Sequence, residues 1–360
     1  MSTVSDNAVA PGSNPAQLKF KAQTINQLMK PFVGFMENPE ITELRIRPGQ
    51  VVTIAFGEKR YESVPEADHA YLRSLATALI AYAGLPVRGT NYVRLPGGER
   101  GTVLMNPVTM DDALLIVIRK HSLTVKNIDQ LAEEGAFADW ANVSFNKPTP
   151  EQVAEEAART DFRRLDAADV ELLALLHAGK VKDFLRRAVQ LKRNIVVSGK
   201  TGSGKTTLVR SACEEVPKDE HIATIEDVHE LMLPNHSEVT NLFYGEGGGR
   251  VSALECVAAC MRITPDRIFL AELRGGEAWV YVNALNTDHG GGITTTHANG
   301  AVESFDRIAT LIKNSEVGST LSMEAIKHVL YTTIDIVLYM RNRKVVQVFF
   351  DPIFKRQQMS

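Results

Sequence analysis

A glycine-rich segment constrains this chain more than any other feature. Gly199-Lys-Thr-Gly-Ser-Gly-Lys-Thr206 matches the pattern G-x-x-x-x-G-K-[ST] at every fixed position. The apolar run at 194–198 predicts a strand before it, and the apolar spacing from Leu208 to Val216 predicts a helix after it. Because a strand and a helix flank the pattern as phosphate binding requires, we prefer a nucleoside triphosphate site over a chance glycine-rich turn.

The residues of this segment have separate tasks in phosphate binding. Its glycines let the backbone wrap closely around phosphate oxygens, and the following helix adds the positive end of its dipole. Lys205 is expected to place an ammonium on the β- and γ-phosphates, and the Thr206 hydroxyl to bind Mg²⁺. We therefore predict ATP and Mg²⁺ as ligands, held by Gly199, Lys200, Thr201, Gly202, Ser203, Gly204, Lys205, Thr206 and Thr207.

Two acids stand at the ends of predicted strands in the same half of the chain. Glu226 follows the apolar residues 222–225, and Glu272 follows the apolar residues 268–271. The carboxyl ends of parallel strands face the ligand crevice, so both acids are candidates to act at the phosphates. A helix cap or a surface charge is the alternative for each acid. The apolar run directly before Glu272 favours a metal role there.

A histidine follows a third predicted strand. His297 comes directly after the threonine-rich strand at 293–296, which makes it a candidate sensor of the γ-phosphate. A zinc site built from His289, His297, Cys256 and Cys260 is the competing interpretation. The two cysteines are one helical turn apart, but the four residues have no recognised zinc-ligand spacing.

The pattern along the chain predicts two domains. We expect a flexible tail at 1–17, a small α+β domain at 18–120, an interdomain linker with a short solvated helix at 121–165, and an α/β domain at 166–360. The short apolar strands of the last domain alternate with helices, which predicts a mainly parallel sheet covered on both faces.

Charge and cysteine content limit the classes of partner. The net charge is −3, from 40 basic and 43 acidic residues, so the chain has no global field that would hold it on nucleic acid or anionic lipid. Three cysteines without a C-x-x-C pair favour a reducing compartment. Residues 1–17 have no signal-peptide pattern, and no apolar stretch is long enough to span a bilayer. We expect a cytosolic chain, unless a partner holds it at a membrane.

Four segments beyond the phosphate loop carry a resemblance to a known superfamily. They are the Asp-box-like residues 224–236, the Walker-B-like residues 261–275, the His-box-like residues 289–299, and the arginine pair in Gly98-Glu-Arg100 and Ile116-Val-Ile-Arg119. In this order they resemble the secretion ATPases of type II secretion, type IV pili and type IV secretion. Within that superfamily the chain looks most like the hexameric traffic ATPases of type IV secretion and conjugation.

The resemblance implies a fold, roles and partners. The fold would be a RecA-like P-loop motor domain preceded by the smaller α+β domain. Glu226 would be the general base or position the attacking water, Glu272 would bind Mg²⁺ through water, and His297 would sense the γ-phosphate. Arg100 and Arg119 would reach the nucleotide much as arginine fingers do. The protein would form a homo-hexamer at the cytoplasmic face of the bacterial inner membrane, bound to components of the secretion machine.

Two other classes of function stay open at the level of sequence. A nucleic-acid motor on a similar core predicts clustered basic and aromatic residues. The chain is only 7% aromatic, and the basic residues between Lys182 and Arg193 are explained by a solvated helix face. A scaffold that binds ATP without hydrolysing it would not need two acids at strand ends. ATP hydrolysis that drives translocation or pilus assembly is the function we expect.

Overall fold

The computed structural model describes residues 15–55, 58–120, 126–245, 251–287 and 289–359. The chain divides into two compact units, which we call the amino-terminal unit (Met1–Thr124 with Gly245–Arg250) and the carboxyl-terminal unit (Val125–Tyr244 with Val251–Ser360). Of the predicted tail, residues 1–14 lie outside the described residues, and residues 15–17 belong to the first helix. In the described part of the chain, no helix is long and apolar enough to cross a bilayer.

The amino-terminal unit is an antiparallel sheet with helices. The helices are α1 (Pro15–Leu28), α2 (Val33–Glu37) and α3 (His69–Tyr82), with a 3-10 turn at Lys30–Phe32. The strands are β1 (Ile41–Arg47), β2 (Gln50–Ala55), β3 (Glu58–Ser63), β4 (Thr90–Arg94), β5 (Arg100–Leu104) and β6 (Leu115–Arg119). Across the described residues they lie in the order β3-β2-β1-β6-β5-β4.

Local sequence explains the helices of this unit. Asp68 begins α3 by accepting a hydrogen bond from the Tyr71 backbone N–H at 2.8 Å. The helix buries the apolar stripe that its spacing predicts, namely Leu72, Leu75, Ala76, Leu79 and Ile80. The apolar spacing over 19–36 predicts one continuous helix, which is wrong because the segment breaks at the 3-10 turn that contains Pro31. A proline has no backbone N–H to donate within a helix.

The carboxyl-terminal unit contains the remaining elements. Its helices are α4 (Ile128–Glu133), α5 (Pro150–Ala157), α6 (Ala167–His177), α7 (Val181–Gln190), α8 (Lys205–Cys213), α9 (Ala253–Ile263), α10 (Glu277–Leu285), α11 (Glu303–Lys313), α12 (Met323–Thr333) and α13 (Pro352–Gln358), with a 3-10 turn at Gly318–Thr320. Its strands are β7 (Ala141–Asn142), β8 (Ile195–Gly199), β9 (Ile222–Glu226), β10 (Val239–Phe243), β11 (Arg267–Leu270), β12 (Ile293–Thr296), β13 (Ile336–Arg341) and β14 (Lys344–Phe350).

The strands of this unit form the mainly parallel sheet that the sequence predicts. Their order through the described residues is β10-β9-β11-β12-β8-β13-β14-β7, and only the pair β13–β14 is antiparallel. Successive side chains of β8 alternate between the two faces: Ile195 and Val197 join one apolar core, and Val196 joins the other. Helices α6, α7 and α8 contribute to the first core, and α9 to α12 contribute to the second.

The segment predicted as a linker is instead part of this unit. Residues 121–125 lie outside the described residues, but α4, α5 and the turn before α6 pack on the carboxyl-terminal core through Ile128, Leu131, Val153 and Leu165, all of them buried. β7 joins the same unit by pairing with β14. Capping boxes at Asn127 and Thr149 begin the two helices. The sequence conceals this packing because each element buries only one or two apolar side chains among many charged ones. Such sparse contacts leave no detectable helical periodicity.

A substitution in α4 tests whether this segment belongs to the core. Ile128→Ala removes a fully buried side chain, so we expect the free energy of unfolding to fall by about 2–5 kcal/mol. Denaturant unfolding followed by tryptophan fluorescence is the measurement, because both tryptophans, Trp140 and Trp279, lie in the carboxyl-terminal unit. The exposed Glu133→Ala on the same helix is the control and should change little. Equal stability of the two variants would contradict this packing.

Candidate active site

The phosphate loop joins β8 to α8 with three glycines in positive-φ conformations. Gly199 has φ +148°, Gly202 has φ +77° and Gly204 has φ +99°. L-residues with a side chain rarely adopt these backbone angles. Gly204 is the N-cap of α8, so the first backbone N–H groups of that helix open into the loop. The local sequence therefore produces the anion-binding turn that the pattern predicts.

The β13–β14 hairpin holds this loop from the other side. The Arg343 backbone N–H donates to the Ser203 carbonyl at 2.9 Å. A Cβ on Gly199 would lie 2.5 Å from the Met340 carbonyl oxygen, and a Cβ on Gly204 would lie 3.3 Å from the Arg343 Cα. Sequence reasoning assigned these glycines to phosphate contact alone. The structure adds a second reason for them, the close approach of the hairpin backbone.

Lys205 lies almost buried in the loop, and its ammonium faces loop carbonyls. The Nζ donates to the Gly199 carbonyl at 2.7 Å and to the Lys200 carbonyl at 3.1 Å. Burial lowers the pKa of Lys205, and the negative charges of Glu272 and Glu230 oppose that shift. Thr206, the next residue, is exposed in the first turn of α8.

Adjacent parallel strands bring Glu272 and His297 together. Strands β11 and β12 are neighbours, and the two residues follow their carboxyl ends. His297 Nε2 lies 2.8 Å from Glu272 Oε1, and His297 Nδ1 lies 3.1 Å from the Gly199 carbonyl oxygen. The same ring nitrogen is 3.4 Å from Lys205 Nζ. The histidine thus links the predicted metal ligand to the phosphate loop.

Arg274 is a member of this cluster that sequence reasoning did not single out. Its guanidinium donates to Glu272 Oε2 at 3.0 and 2.8 Å and to Asp227 Oδ2 at 2.7 Å. Burial disfavours the charge of Arg274, but the charges of Asp227 and Tyr244 and the hydrogen bonds to Asp227 and Glu272 together outweigh it and raise the arginine pKa above its usual value. Its position in Glu272-Leu-Arg274, two residues after the strand-end acid, was the available signal.

Glu226 is fully buried and bound within its own loop. Its Oε2 accepts hydrogen bonds from the backbone N–H groups of Glu230 at 2.6 Å and Leu231 at 2.7 Å. Its Oε1 accepts one from the Thr224 hydroxyl at 3.2 Å and lies 3.3 Å from His229 Nδ1. Both carboxylate oxygens are therefore engaged in shaping the turn after β9. This geometry does not support Glu226 as an acid that faces a nucleotide.

Glu230 is a half-buried acid in the same turn, and its backbone N–H donates to Glu226. Burial lowers the pKa of Lys205 and of Arg210, and the negative charge of Glu230 opposes both shifts. Glu230 lies within the Asp-box-like residues 224–236, and the sequence pattern alone assigns it no role. The missed signal is its spacing, four residues after the acid at the strand end.

Arg100 and Arg119 lie in the amino-terminal unit, on neighbouring strands. They are direct cross-strand partners between β5 and β6, and Arg119 donates to Glu43 on β1 at 3.0 Å. Arg94 on β4 is in turn the cross-strand partner of Arg100. Arg94, Arg100 and Arg119 therefore form one row across β4, β5 and β6, and the carboxylate of Glu43 pairs with the arginine at the β6 end of the row. Sequence reasoning missed Arg94, because only the strand register brings it into this row.

The cysteines of the zinc alternative are core residues. Cys256 and Cys260 are buried on α9, and burial raises the pKa of Cys260 to about 12, which disfavours a metal-binding thiolate. Among the residues that the structure describes, no group of three or more His, Cys, Asp and Glu side chains is arranged to hold a metal ion.

The geometry defines a class of protein. A glycine-rich loop joins a strand to a helix at one edge of a mainly parallel sheet. A strand-end acid and a histidine meet at the same edge. This arrangement is the site of a P-loop ATPase. A family model described as type II/IV secretion system protein matches residues 153–338. The chain belongs to this family, and it is a type IV secretion traffic ATPase that hydrolyses ATP.

Relatives extend the match to nearly the whole chain. The type IV secretion system protein VirB11 of Brucella suis biovar 1 (strain 1330) is 35% identical, over 93% of this chain and 92% of that protein. The protein of the same name from Bartonella quintana (strain Toulouse) is 31% identical, over 91% of this chain and 93% of that protein. These relatives support the type IV secretion function over the nucleic-acid motor.

Solved structures agree with the fold. The crystal structure of the VirB11 ATPase from the Brucella suis type IV secretion system, in complex with sulphate, is 34% identical and has a TM-score of 0.52. The match covers 96% of this chain and 99% of that one. The pilus retraction motor PilT with bound ADP is 18% identical, has a TM-score of 0.54 and covers 87% of this chain and 77% of its own, so it supports the fold alone.

The contact between hairpin and phosphate loop is testable with Gly199→Ala. The added Cβ would clash with the Met340 carbonyl, and its backbone angle is strained, so we expect a loss of about 2–5 kcal/mol in the free energy of unfolding. Gly202→Ala is the matched control, because nothing lies within 4 Å of its Cβ and only the backbone cost of about 1–2 kcal/mol applies. Equal losses in tryptophan-monitored unfolding would argue against the contact.

Proposed function

We propose that ATP binds at the phosphate loop and is hydrolysed by groups from the neighbouring strand ends. The observation that supports this most directly is the meeting of Lys205, Glu272 and His297 at one edge of the parallel sheet. Lys205 would exchange its two loop carbonyls for oxygens of the β- and γ-phosphates. The backbone N–H groups at the start of α8 would hold the same phosphates.

We also propose that Mg²⁺ binds with the nucleotide. The available donors, the Thr206 hydroxyl and the Glu272 carboxylate, are hard oxygen ligands of the kind that Mg²⁺ prefers. When bound, the ion would neutralise charge on the β- and γ-phosphate oxygens. Glu272 would contact it through water, and Arg274 would hold the carboxylate in place through its two hydrogen bonds.

Glu230 is our candidate for the group that activates water. In the reaction, the water oxygen bonds to the γ-phosphorus, the bond from that phosphorus to the bridging oxygen breaks, and ADP leaves with the electron pair. A nearby carboxylate accepts the water proton. Glu230 suits this role because its charge acts on Lys205, whereas Glu226 has both oxygens bound in its own loop. Glu226 would then position Glu230 through the backbone N–H of that residue.

His297 would report whether the γ-phosphate is present. Its ring lies between the Gly199 carbonyl, Lys205 and Glu272. An arriving γ-phosphate competes for Lys205, so the contacts of this ring must change between the ATP and ADP states. The resemblance adds Arg100 and Arg119 as arginine fingers, and the strand register extends that assignment to Arg94.

The resemblance also supports an assembled motor. We propose a homo-hexamer at the cytoplasmic face of the bacterial inner membrane, which contacts components of the secretion machine. ATP hydrolysis would energise substrate translocation or pilus assembly. The balanced charge of the chain argues against direct binding to nucleic acid.

A pair of acid substitutions separates the roles of the two glutamates. Glu230→Gln should reduce kcat by about 10²–10⁴-fold, because it removes the proton acceptor, and should leave the unfolding transition nearly unchanged. Glu226→Gln should instead reduce the free energy of unfolding by about 1.5–3 kcal/mol, because it weakens charge-assisted hydrogen bonds. Phosphate release assays and tryptophan-monitored unfolding provide the two measurements. A stable, inactive Glu226→Gln beside an active Glu230→Gln would reverse the assignment.

Protein concentration tests the assembled motor. ATP hydrolysis per chain, corrected with Lys205→Ala as the blank, should rise with protein concentration where copies associate, because mass action completes sites between them. A native mass measured at each concentration is the companion experiment. A constant rate with a stable oligomer would still agree with the proposal. A constant rate from a monomer would contradict an assembled motor, and a rate no higher than the blank would contradict hydrolysis at this loop.

A further inference from the structure

A cleft lies beside the first half of the phosphate loop. It has a volume of ≈ 660 Å³, and Gly199, Lys200 and Thr201 form one wall. His297 and Asn299 from the turn after β12 line it, together with Arg307 from α11. The cleft therefore shares both the loop and the histidine with the proposed ATP site, but it extends to a helix that the proposed chemistry does not use.

Arg307 is an exposed cation without an ionic partner in this cleft. It makes no hydrogen bond or ion pair with any part of the chain that the structure describes. Glu303, one helical turn earlier, is the natural i,i+4 partner, but no ion pair forms within 4.0 Å. Glu303 instead lies over the turn before α11, where its carboxylate occupies the space that a Cβ on Gly300 would take. The guanidinium is left available to a ligand.

Two further donors line the same cleft. The side chains of Lys200 and Asn299 likewise have no hydrogen-bond partner within the described ranges. A guanidinium, an ammonium and an amide N–H₂ around one opening form the donor set of an oxyanion site. The planar fork of an arginine suits a phosphate in particular, because it can donate two parallel hydrogen bonds. Glu303, at the same rim, is the one acid that opposes this charge.

We propose that Arg307, with Lys200 and Asn299, forms a subsite for the inorganic phosphate that hydrolysis releases. The inference rests on the proposed function, since that reaction supplies the phosphate next to His297. After the bond to ADP breaks, the phosphate moves along the wall shared by the two sites, from Lys205 to Arg307. ADP stays on the phosphate loop. The subsite thereby makes phosphate departure a step separate from ADP departure.

Direct binding of orthophosphate tests the subsite without requiring turnover. Radiolabelled inorganic phosphate is equilibrated with the full-length protein, saturated with ADP and Mg²⁺, and bound label is measured by dialysis. Arg307→Gln should weaken phosphate binding by about 10-fold or more, because one charge-assisted contact is lost, and Arg307→Lys should recover part of it. Arg262→Gln is the matched control: Arg262 is an exposed arginine on α9 that is not in the cleft, and its loss should leave binding unchanged.

Steady-state kinetics provide the second measurement. Inhibition of ATP hydrolysis by added phosphate should weaken by the same factor in Arg307→Gln, while KM for ATP changes less than about 2-fold. Thermal unfolding of each variant verifies that it is folded.

Three results would overturn the subsite. In the first, wild-type protein binds no phosphate at millimolar concentration. In the second, the Arg307→Gln variant binds phosphate as wild type does and has an unchanged KM for ATP. In the third, it binds phosphate as wild type does but has a raised KM, which would make Arg307 a ligand of ATP itself. Failure of the proposed function has a different signature, namely wild-type hydrolysis no higher than that of Lys205→Ala, and it leaves the binding measurement interpretable.

Discussion

Parallel pairing of four neighbouring strands is the constraint on which this site depends. In the order β9-β11-β12-β8, every carboxyl end points to the same edge of the sheet. At these four ends, in the same order, lie Glu226, Glu272, His297 and the phosphate loop. Residues almost one hundred positions apart, such as Gly199 and His297, thereby come within hydrogen-bond distance. Helices on both faces must cover such a sheet, so two apolar cores support one polar edge.

The phosphate loop is constrained from two sides. Toward the ligand, its glycines let backbone N–H groups approach phosphate oxygens. Toward the protein, the β13–β14 hairpin leaves no room for a Cβ on Gly199, and its Arg343 backbone N–H donates a hydrogen bond to the Ser203 carbonyl. β14 in turn pairs with β7, and the Val345 backbone N–H donates to the Ala136 carbonyl. The segment that precedes the parallel sheet in sequence is thus connected through the hairpin to the phosphate loop.

The acids in this site have two kinds of task. Some hold the backbone in place, and others act on nearby positively charged side chains. Glu226 is buried, and backbone N–H groups satisfy it, which holds the turn after β9 in place. That turn sets the position of Glu230, whose charge acts on Lys205. Arg274 performs the corresponding task on the next strand, since it ties Glu272 to Asp227. A fixed array of charges of this kind can stabilise a phosphoryl transfer without reorganising during the reaction.

Much of this protein could be predicted from local sequence. The phosphate loop, its flanking strand and helix, the mainly parallel sheet and the buried stripe of α3 all depend on residues close together in the chain. Turn preference, helical spacing and apolar runs are local properties, so they can be read without a fold. Local sequence likewise placed the candidates Glu272 and His297 at strand ends, where the structure has them 2.8 Å apart.

Only the tertiary structure decided which groups meet. Sequence pattern did not separate Glu226 from Glu230, since both are acids near one strand end, and burial alone assigns them different partners. It did not join Arg94 to Arg100, which depends on strand register. Nor did it detect that α4 and β7 belong to the carboxyl-terminal core, because single buried side chains in a charged segment leave no periodic signal. Local propensity determines the elements, but long-range packing determines which side chains lie within a few ångströms of each other.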